Sequence, residues 1–516
     1  MKELFRNLKF DLPASLVVFL VALPLCLGIA IASGADPFAG IISGIIGGVV
    51  VGLLSGSQLS VSGPAAGLTV IVMNGIASAG SYEIFLLSVF LAGILQLIMG
   101  FSGAGMIGAY FPNAVIKGML SAIGLILILK QIPHALGSSQ FKDVTGFVTG
   151  GEPDNRGFDA DISNTFLDII EAFEQLIPGA FIISVCCLFL GILWSISALQ
   201  KFAFFRIIPG PLVMVLAGVG INEGFQLFYP DLYLQGDLLV SVPENGIEGV
   251  MNQLKSPDFS YLWNRKIWVL AISIALIASL ETLLSIDAAD KLDPFRRITP
   301  LNRELKAQGA GNILCGLLGG IPLTAVIVRS SANISAGGRT KMSAIMHGLL
   351  LLLTVLYIPD ILNRIPYSAL ASVLLMVGFK LTTPSLYLEI FRKGWTAWVP
   401  FVVTIFAILF TDLLVGIAVG MVVGLGIVLK RNFTSAIFLD QDGSHYRIRF
   451  NKEVTFLNKA RLRRILRTIP KNSTVEITNH DGYFLDDDIL ETLDEFVTHA
   501  GFRNIEVKIH GMHNLS

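Results

Sequence analysis

Charge is scarce in this chain. Only 15% of its 516 residues are Asp, Glu, Lys or Arg, and they nearly cancel, leaving a formal net charge of −1. No broad basic field exists to gather nucleic acid, and any attraction for an anion must be local. Cysteine is rarer still. Cys26, Cys186, Cys187 and Cys315 sit in apolar runs with no CxxC and no Cys/His ligand spacing, which excludes a disulfide framework or zinc site and makes them small buried apolar residues. The seven histidines are scattered, five of them after residue 440. No nucleophile stands beside a base with a third supporting residue, so an enzyme is not expected.

Apolar sequence is what the chain has in excess: 53% of residues are hydrophobic, with a mean hydropathy of +0.71. That is a membrane composition. A hydrocarbon core about 30 Å thick takes about 20 apolar residues per helix. On that rule residues 13–430 divide into fourteen segments, two of them shorter than a full crossing. The fuller ones run near 13–34, 38–55, 83–101, 110–130, 178–199, 209–229, 267–288, 342–361, 365–380, 396–412 and 413–430. Lys2, Arg6 and Lys9 precede the first run as in a signal peptide, but the run is too long and lacks a cleavage site, so it reads as a retained first span.

The Lys/Arg bias of loops sets orientation. Lys201 with Arg206, the group Lys291, Arg296, Arg297, Arg303 and Lys306, then Arg339 with Lys341, Arg392 with Lys393, and Lys430 with Arg431 all fall on the side of the N-terminus. The opposite side receives segment 230–265 and segment 138–175, which holds Asp143, Glu152, Asp154, Asp159, Asp161 and Asp168. Both termini are then cytoplasmic, in a multi-pass protein of the cell inner (plasma) membrane. From Asn432 charges become frequent and short β-type runs alternate with helical patterns, so the chain reads as a transport domain over 1–431 and a small cytoplasmic α/β domain over 432–516. There HYRIRF and EVTFLN are expected to pair as strands, Lys459 to Ile469 to form a basic amphipathic helix, STVEITN a strand, Asp486 to Ala500 a second helix and NIEVKIH a last strand. His480 and Asp481 beside Asp486 to Asp488 resemble a metal set, but acids opening a helix complement its dipole, which is the preferred reading.

An internal repeat matters more than any single motif. GLLSG at 52–56 leads into GPAAGLTVIV from Gly63, and GLLGG at 316–320 leads into IPLTAVIV from Ile321. With seven segments per half, the second copy enters the membrane inverted. Each copy opens a short apolar run with a proline, Pro64 and Pro322, and proline fits the first turn of a helix, where its missing N–H is no loss. The runs therefore read as half-helices starting near the bilayer midplane. Their free amides, at Ala65, Ala66 and Gly67 and at Thr324, Ala325 and Val326, are expected to face a shared cavity that suits an anion. The competing reading is a pair of simple proline kinks.

Arg329 follows Pro322 by about two helical turns, and an arginine in an apolar run marks a pathway or, alternatively, the cytoplasmic surface. Glu281 is the only acid well inside 267–288 and shares a face with Ser285, so it reads as a coupling-ion or proton site, with a structural hydrogen bond as the alternative.

ALPLCLGIAIASGADPFAGI, SGPAAGLTVIV, SLETLLSIDAADKL, NRELKAQGAGNILCGLLGGIP and TAVIVRSSANISAGGRTKMS together resemble the SulP (solute carrier 26) family of anion transporters, and the C-terminal pattern looks like its STAS domain. The resemblance covers almost the whole chain. It implies an all-α polytopic domain of seven plus seven inverted segments, like the uracil transporter, a core moving elevator-fashion against a gate, and a homodimer. It also places the substrate site on Ala65, Ala66, Gly67, Thr324, Ala325, Val326 and Arg329, and a coupling-ion set on Glu281, Ser285 and Gly320, for Na+ or H+ with no other cofactor. Many members carry Pro-Gln where this chain has Pro24-Leu25, which speaks against a sulfate-type polar contact. The match is closer to the cyanobacterial sodium-dependent bicarbonate transporters, with Glu281 in place of their aspartate and Ser285 in place of their threonine. The STAS-like part lacks the usual Asp-Ser-Thr/Gly turn, so phosphoregulation at that loop is not expected. The expected function is secondary active transport of bicarbonate or a related inorganic anion. A sulfate or chloride/bicarbonate exchanger, a nucleobase permease, and a membrane scaffold whose cytoplasmic domain recruits a partner are the alternatives.

Overall fold

The computed structural model describes residues 7–106, 111–137, 169–196, 198–202, 205, 208–411, 413–434, 436–451, 453–479 and 483–511. Lys2, Arg6, Arg206, His480, Asp481 and the acids Asp143, Glu152, Asp154, Asp159, Asp161 and Asp168 lie outside them. The chain divides by its contacts into Met1–Gly420 and Met421–Ser516.

The first unit is mostly helical. Its long elements are α1 (Leu8–Ala32), α2 (Pro37–Leu54), α3 (Ala66–Ala79), α4 (Tyr82–Phe101), α5 (Asn113–Ala135), α6 (Pro178–Ser195), α7 (Gly210–Phe228), α8 (Arg265–Leu292), α9 (Leu301–Leu318), α10 (Ile327–Ser335), α11 (Met342–Tyr357), α12 (Tyr367–Leu381), α13 (Trp395–Phe410) and α14 (Leu413–Thr434), the last of which runs into the second unit. Among the described residues, nine helices are long and apolar enough to cross a membrane, and α3, α11 and α13 are shorter apolar helices. Helix α9 is absent from the fuller spans that hydropathy marks. Glu304, Gln308 and Asn312 recur at i, i+4 and i+8 and lower its apolar average, yet all three are fully buried.

Small residues let these helices close up. On α4 and α9, glycines seven apart face one another: a β-carbon at Gly93 would stand 2.5 Å from the Ile313 nitrogen, one at Gly309 2.7 Å from the Gly93 carbonyl, and one at Gly316 2.5 Å from the Phe90 nitrogen. Polar ties join distant parts of the chain. Buried Asp11 accepts hydrogen bonds from the Arg339 and Thr340 amides at 2.7 and 3.0 Å and from Thr340 Oγ1 at 2.5 Å. At the end of α2, where carbonyls lack helical partners, Lys341 Nζ donates to Leu53 at 2.7 Å and Arg303 Nε to Leu54 at 3.0 Å. Both cations also complement the negative end of the helix dipole.

The second unit carries a four-stranded sheet in the order β3-β4-β5-β6, with β3 Ile437–Asp442, β4 His445–Phe450, β5 Thr474–Thr478 and β6 Glu506–His510. The β3–β4 pair is antiparallel and the other two are parallel. The strand pairing expected for EVTFLN does not form. HYRIRF pairs instead with Ile437–Asp442, because Gly443 at φ +59° reverses the chain directly. Thr455 and Asn458 form a capping box on the 3-10 turn Phe456–Asn458, which leads into the helix α15 (Lys459–Thr468). Helix α16 (Asp487–Ala500) begins with the acids Asp487 and Asp488, and Asp488 pairs with Lys459, raising that ammonium above its ordinary pKa.

The glycine seam predicts that Gly93→Val forces α4 from α9. Overpacking of this kind costs about 1–3 kcal/mol or more. The apparent unfolding temperature in detergent, followed by fluorescence-detected size-exclusion chromatography, is expected to fall by several degrees, while Gly220→Val, where a β-carbon meets nothing within 4 Å, leaves it unchanged.

Candidate functional site

Two three-residue strands cross in the first unit. β1 (Ser62–Pro64) pairs antiparallel with β2 (Leu323–Ala325), Ser62 opposite Ala325, Gly63 opposite Thr324 and Pro64 opposite Leu323. Helix α3 starts just beyond one end of this bridge and α10 just beyond the other. The two N-termini therefore point back at the crossing from opposite sides.

This corrects where the helices begin. Pro64 lies in a strand and Pro322 just before one, and neither opens a helix. Ala65 is extended and buried at the cap position, while Ala66 and Gly67 do lie in the first turn of α3. On the other side the expected amides are taken. Thr324 sits in the ladder, the Ala325 N–H donates to Thr282 Oγ1 at 3.2 Å, and the Val326 N–H donates to the Val61 carbonyl at 3.0 Å. Strand pairing and the Thr282 hydroxyl have consumed those donors, so the open first-turn amides are those after Val326, at Ile327 and Val328.

Glu281 on α8 meets the start of α3. It is half-buried, its Oε2 has no hydrogen-bond partner, and a β-carbon at Gly67 would stand 2.5 Å from Oε2 and 2.7 Å from Oε1. A carboxylate is thus held against the positive end of a helix, with one oxygen left to bind something else. Ser285, one turn further along α8, is buried. Gly320 does not join them: it follows the left-handed cap residue Gly319, donates its amide to the Cys315 carbonyl at 2.8 Å and packs on Ser43 and Ile42.

Arg329 is enclosed by protein. It is the third residue of α10, not two turns in, and its side chain is 0% exposed. Nη2 donates to the Pro64 carbonyl at 3.3 Å, Nε and Nη1 are unpartnered, and a β-carbon at Gly63 would collide with Nη1. Cys26 and His347 are within its electrostatic reach. Among the described residues no acid forms an ion pair with it. Its charge lies directly under β1 and adds to the two helix dipoles at the crossing.

Residues that sequence reasoning does not single out hold this arrangement. Asn312, Gln308, Gln96 and Thr282 are fully buried and hydrogen-bond to the strands or to one another. For Gln308 and Asn312 the signal that could find them is the spacing of amides on one face of α9.

The sequence profile of the Sulfate permease family matches residues 8–398. Over 385 residues the chain is 28% identical to the "Bicarbonate transporter BicA" of Picosynechococcus, taking in 72% of this chain and 62% of the relative, so the match spans less than two thirds of that protein. The solved transmembrane domain of a cyanobacterium bicarbonate transporter BicA aligns with a TM-score of 0.64 at 23% identity, covering 82% of this chain and 98% of that one. The overall structure of SLC26A9 aligns at 0.76 and 16% identity, covering 98% and 85%. Both structural likenesses concern the fold.

The two crossing glycines are predicted to differ in their response to a methyl group. Gly63→Ala presses on an arginine with no space to move and is expected to cost about 1–3 kcal/mol, read as a lower unfolding temperature. At Gly67 the atoms nearest to an added methyl are those of the half-buried Glu281 carboxyl group, the end of a flexible side chain, and Gly67→Ala is expected to leave that temperature within about a degree of wild type.

Proposed function

The chain belongs to the sulfate permease family, and on that premise we propose that it carries a small inorganic anion across a membrane, binding it at the crossing of β1 and β2. One observation carries this reading: two helix N-termini converge on a point beneath which lies a buried arginine that no acid pairs with among the described residues. Helix starts bind anions through free amides, and discontinuous helices are where transporters place their sites. The unpaired charge of Arg329 reinforces that potential through the backbone, without touching the ligand. Ala66, Ile327 and Val328 supply the contacts, the Gly67 amide donates to Glu281 instead, and Ala65, Thr324, Ala325 and Val326 shape the strands that present them.

Glu281 holds the coupling ion, a proton or Na+, with Ser285 beside it. The free Oε2 and the depth of the carboxylate support that role. A coupled cation there offsets the carboxylate charge next to an incoming anion. Bicarbonate is the preferred substrate, in keeping with the motif resemblance and with a relative named as a bicarbonate transporter. The wider reading has seven plus seven inverted segments over 1–431, a core sliding against a gate, a STAS-like domain over 432–516 available to a cytoplasmic partner, a homodimer, and a plasma-membrane location with both termini cytoplasmic. The recurrence of helix, short strand and short helix at 37–79 and 301–335 supports the duplication.

Proteoliposome uptake tests this reading. Bicarbonate uptake driven by an inward Na+ or proton gradient is expected, exceeding that of sulfate and chloride, and Glu281→Gln is expected to reduce it by about tenfold or more. Uptake no greater than in empty vesicles for all three anions would sink the proposal. Gradient-independent exchange unchanged in Glu281→Gln would make Glu281 structural.

A further inference from the structure

A site built from backbone amides depends on whatever fixes the backbone. Asn312 does this for β2. Its Oδ1 accepts from the Leu323 N–H at 2.7 Å and its Nδ2 donates to the Leu323 carbonyl at 3.1 Å, so one side chain holds both polar groups of one strand residue. Leu323 stands opposite Pro64 at a non-hydrogen-bonded position of the ladder, since the Val326 N–H donates to Val61 and the Ala325 N–H points outward to Thr282. The polar groups of Leu323 therefore point away from β1, and Asn312 is what meets them.

The same amide reaches further. Asn312 Nδ2 also donates to Gln96 Oε1 at 2.7 Å, and Gln96 Nε2 donates to Ser279 Oγ at 3.3 Å, two residues before Glu281 on α8. Thr282, the residue after Glu281, accepts from the Ala325 amide at 3.2 Å. The strand that leads into α10 is therefore fastened to the Glu281 helix on both sides of Glu281. One turn back along α9, Gln308 Nε2 donates to Ser62 Oγ at 2.7 Å and fastens β1 as well.

We propose that Asn312, backed by Gln96, is a positioning residue for anion transport. It sets the separation between the Glu281 carboxylate and the open amides of α10, and so the affinity of the site for its anion. This rests on the functional reading of the crossing as an anion site. Truncating Asn312 leaves the Leu323 N–H and C=O buried without partners, and β2 must move to satisfy them. The start of α10 moves with it, because Ile327 follows Ala325 by two residues.

The chain itself contains a control for loss of the fold. On α7, which contributes no residue to the crossing, buried Asn222 clasps Leu234 in the same two-way fashion, at 2.9 and 3.2 Å. Asn312→Ala, Asn222→Ala, Gln96→Ala and the double variant of Asn312 and Gln96 are compared in full-length protein in proteoliposomes. KM and maximal rate are measured for the anion that wild type carries, with the unfolding temperature measured in parallel. Both asparagine variants are expected to unfold at lower temperature. Asn312→Ala is expected to raise KM about tenfold or more, while Asn222→Ala keeps KM within about twofold. Gln96→Ala is expected to raise KM less than Asn312→Ala, and to add little on top of it because it acts through the same amide.

An Asn312→Ala protein with wild-type KM and only a reduced amount of active transporter would overturn the inference while leaving the functional reading intact. Equal KM changes in Asn312→Ala and Asn222→Ala would overturn it too, since the effect would then follow general stability. A wild type that carries none of the anions removes the functional reading, and this inference with it.

Discussion

Everything at the candidate site depends on six residues of extended backbone, Ser62–Pro64 against Leu323–Ala325. Non-helical backbone at membrane depth is tolerated only where its N–H and C=O groups are satisfied within the protein. Pairing two such stretches with each other meets most of that need and leaves a small remainder. The remainder explains the polar side chains around the crossing: Asn312 for Leu323, Thr282 for the Ala325 amide, and Ser330 Oγ for the Val61 amide at 3.1 Å. The short helices exist because the strands interrupt what would otherwise be full spans.

The electrostatics follow from the same interruption. Two helix starts present positive ends inside the unit, and Arg329 adds a full charge where no acid pairs with it among the described residues. The Glu281 carboxylate rests on one of those starts and partly offsets the field. The balance is adjustable, since a proton or cation on Glu281 changes the potential seen at the neighbouring amides. On the proposed reading, anion binding and occupancy of Glu281 are linked through a shared field, with no contact between the two ligands required.

Much of this architecture is legible in the amino-acid sequence. Apolar runs separated by basic loops mark the spans, and the recurrence of a Gly-rich stretch, a proline and a short apolar run marks the crossing. Local sequence makes each proline a helix opener, because proline tolerates a first turn. It tolerates a strand position facing a residue bonded elsewhere equally well, and only the partner strand, far away in sequence, decides between the two. The depth of Arg329 in its helix is overestimated for the same reason: the helix starts at Ile327 instead of Pro322, and the side chain turns under β1. Helix α9 escapes hydropathy because its buried face is made of amides and an acid, whose partners lie on other elements. In the second unit, EVTFLN has strand composition, but a tight turn gives HYRIRF a nearer partner.

The tie between Asp11 and Thr340 spans 329 residues. At a synthesis rate of about 5–20 residues per second, the first helix waits roughly 16–66 s for the turn that satisfies its buried carboxylate. β1 waits almost as long for β2. Throughout that interval Asp11 must find its hydrogen bonds outside the folded unit, and the strand stays unpaired. The first half therefore cannot complete its polar ties until the second half has been made.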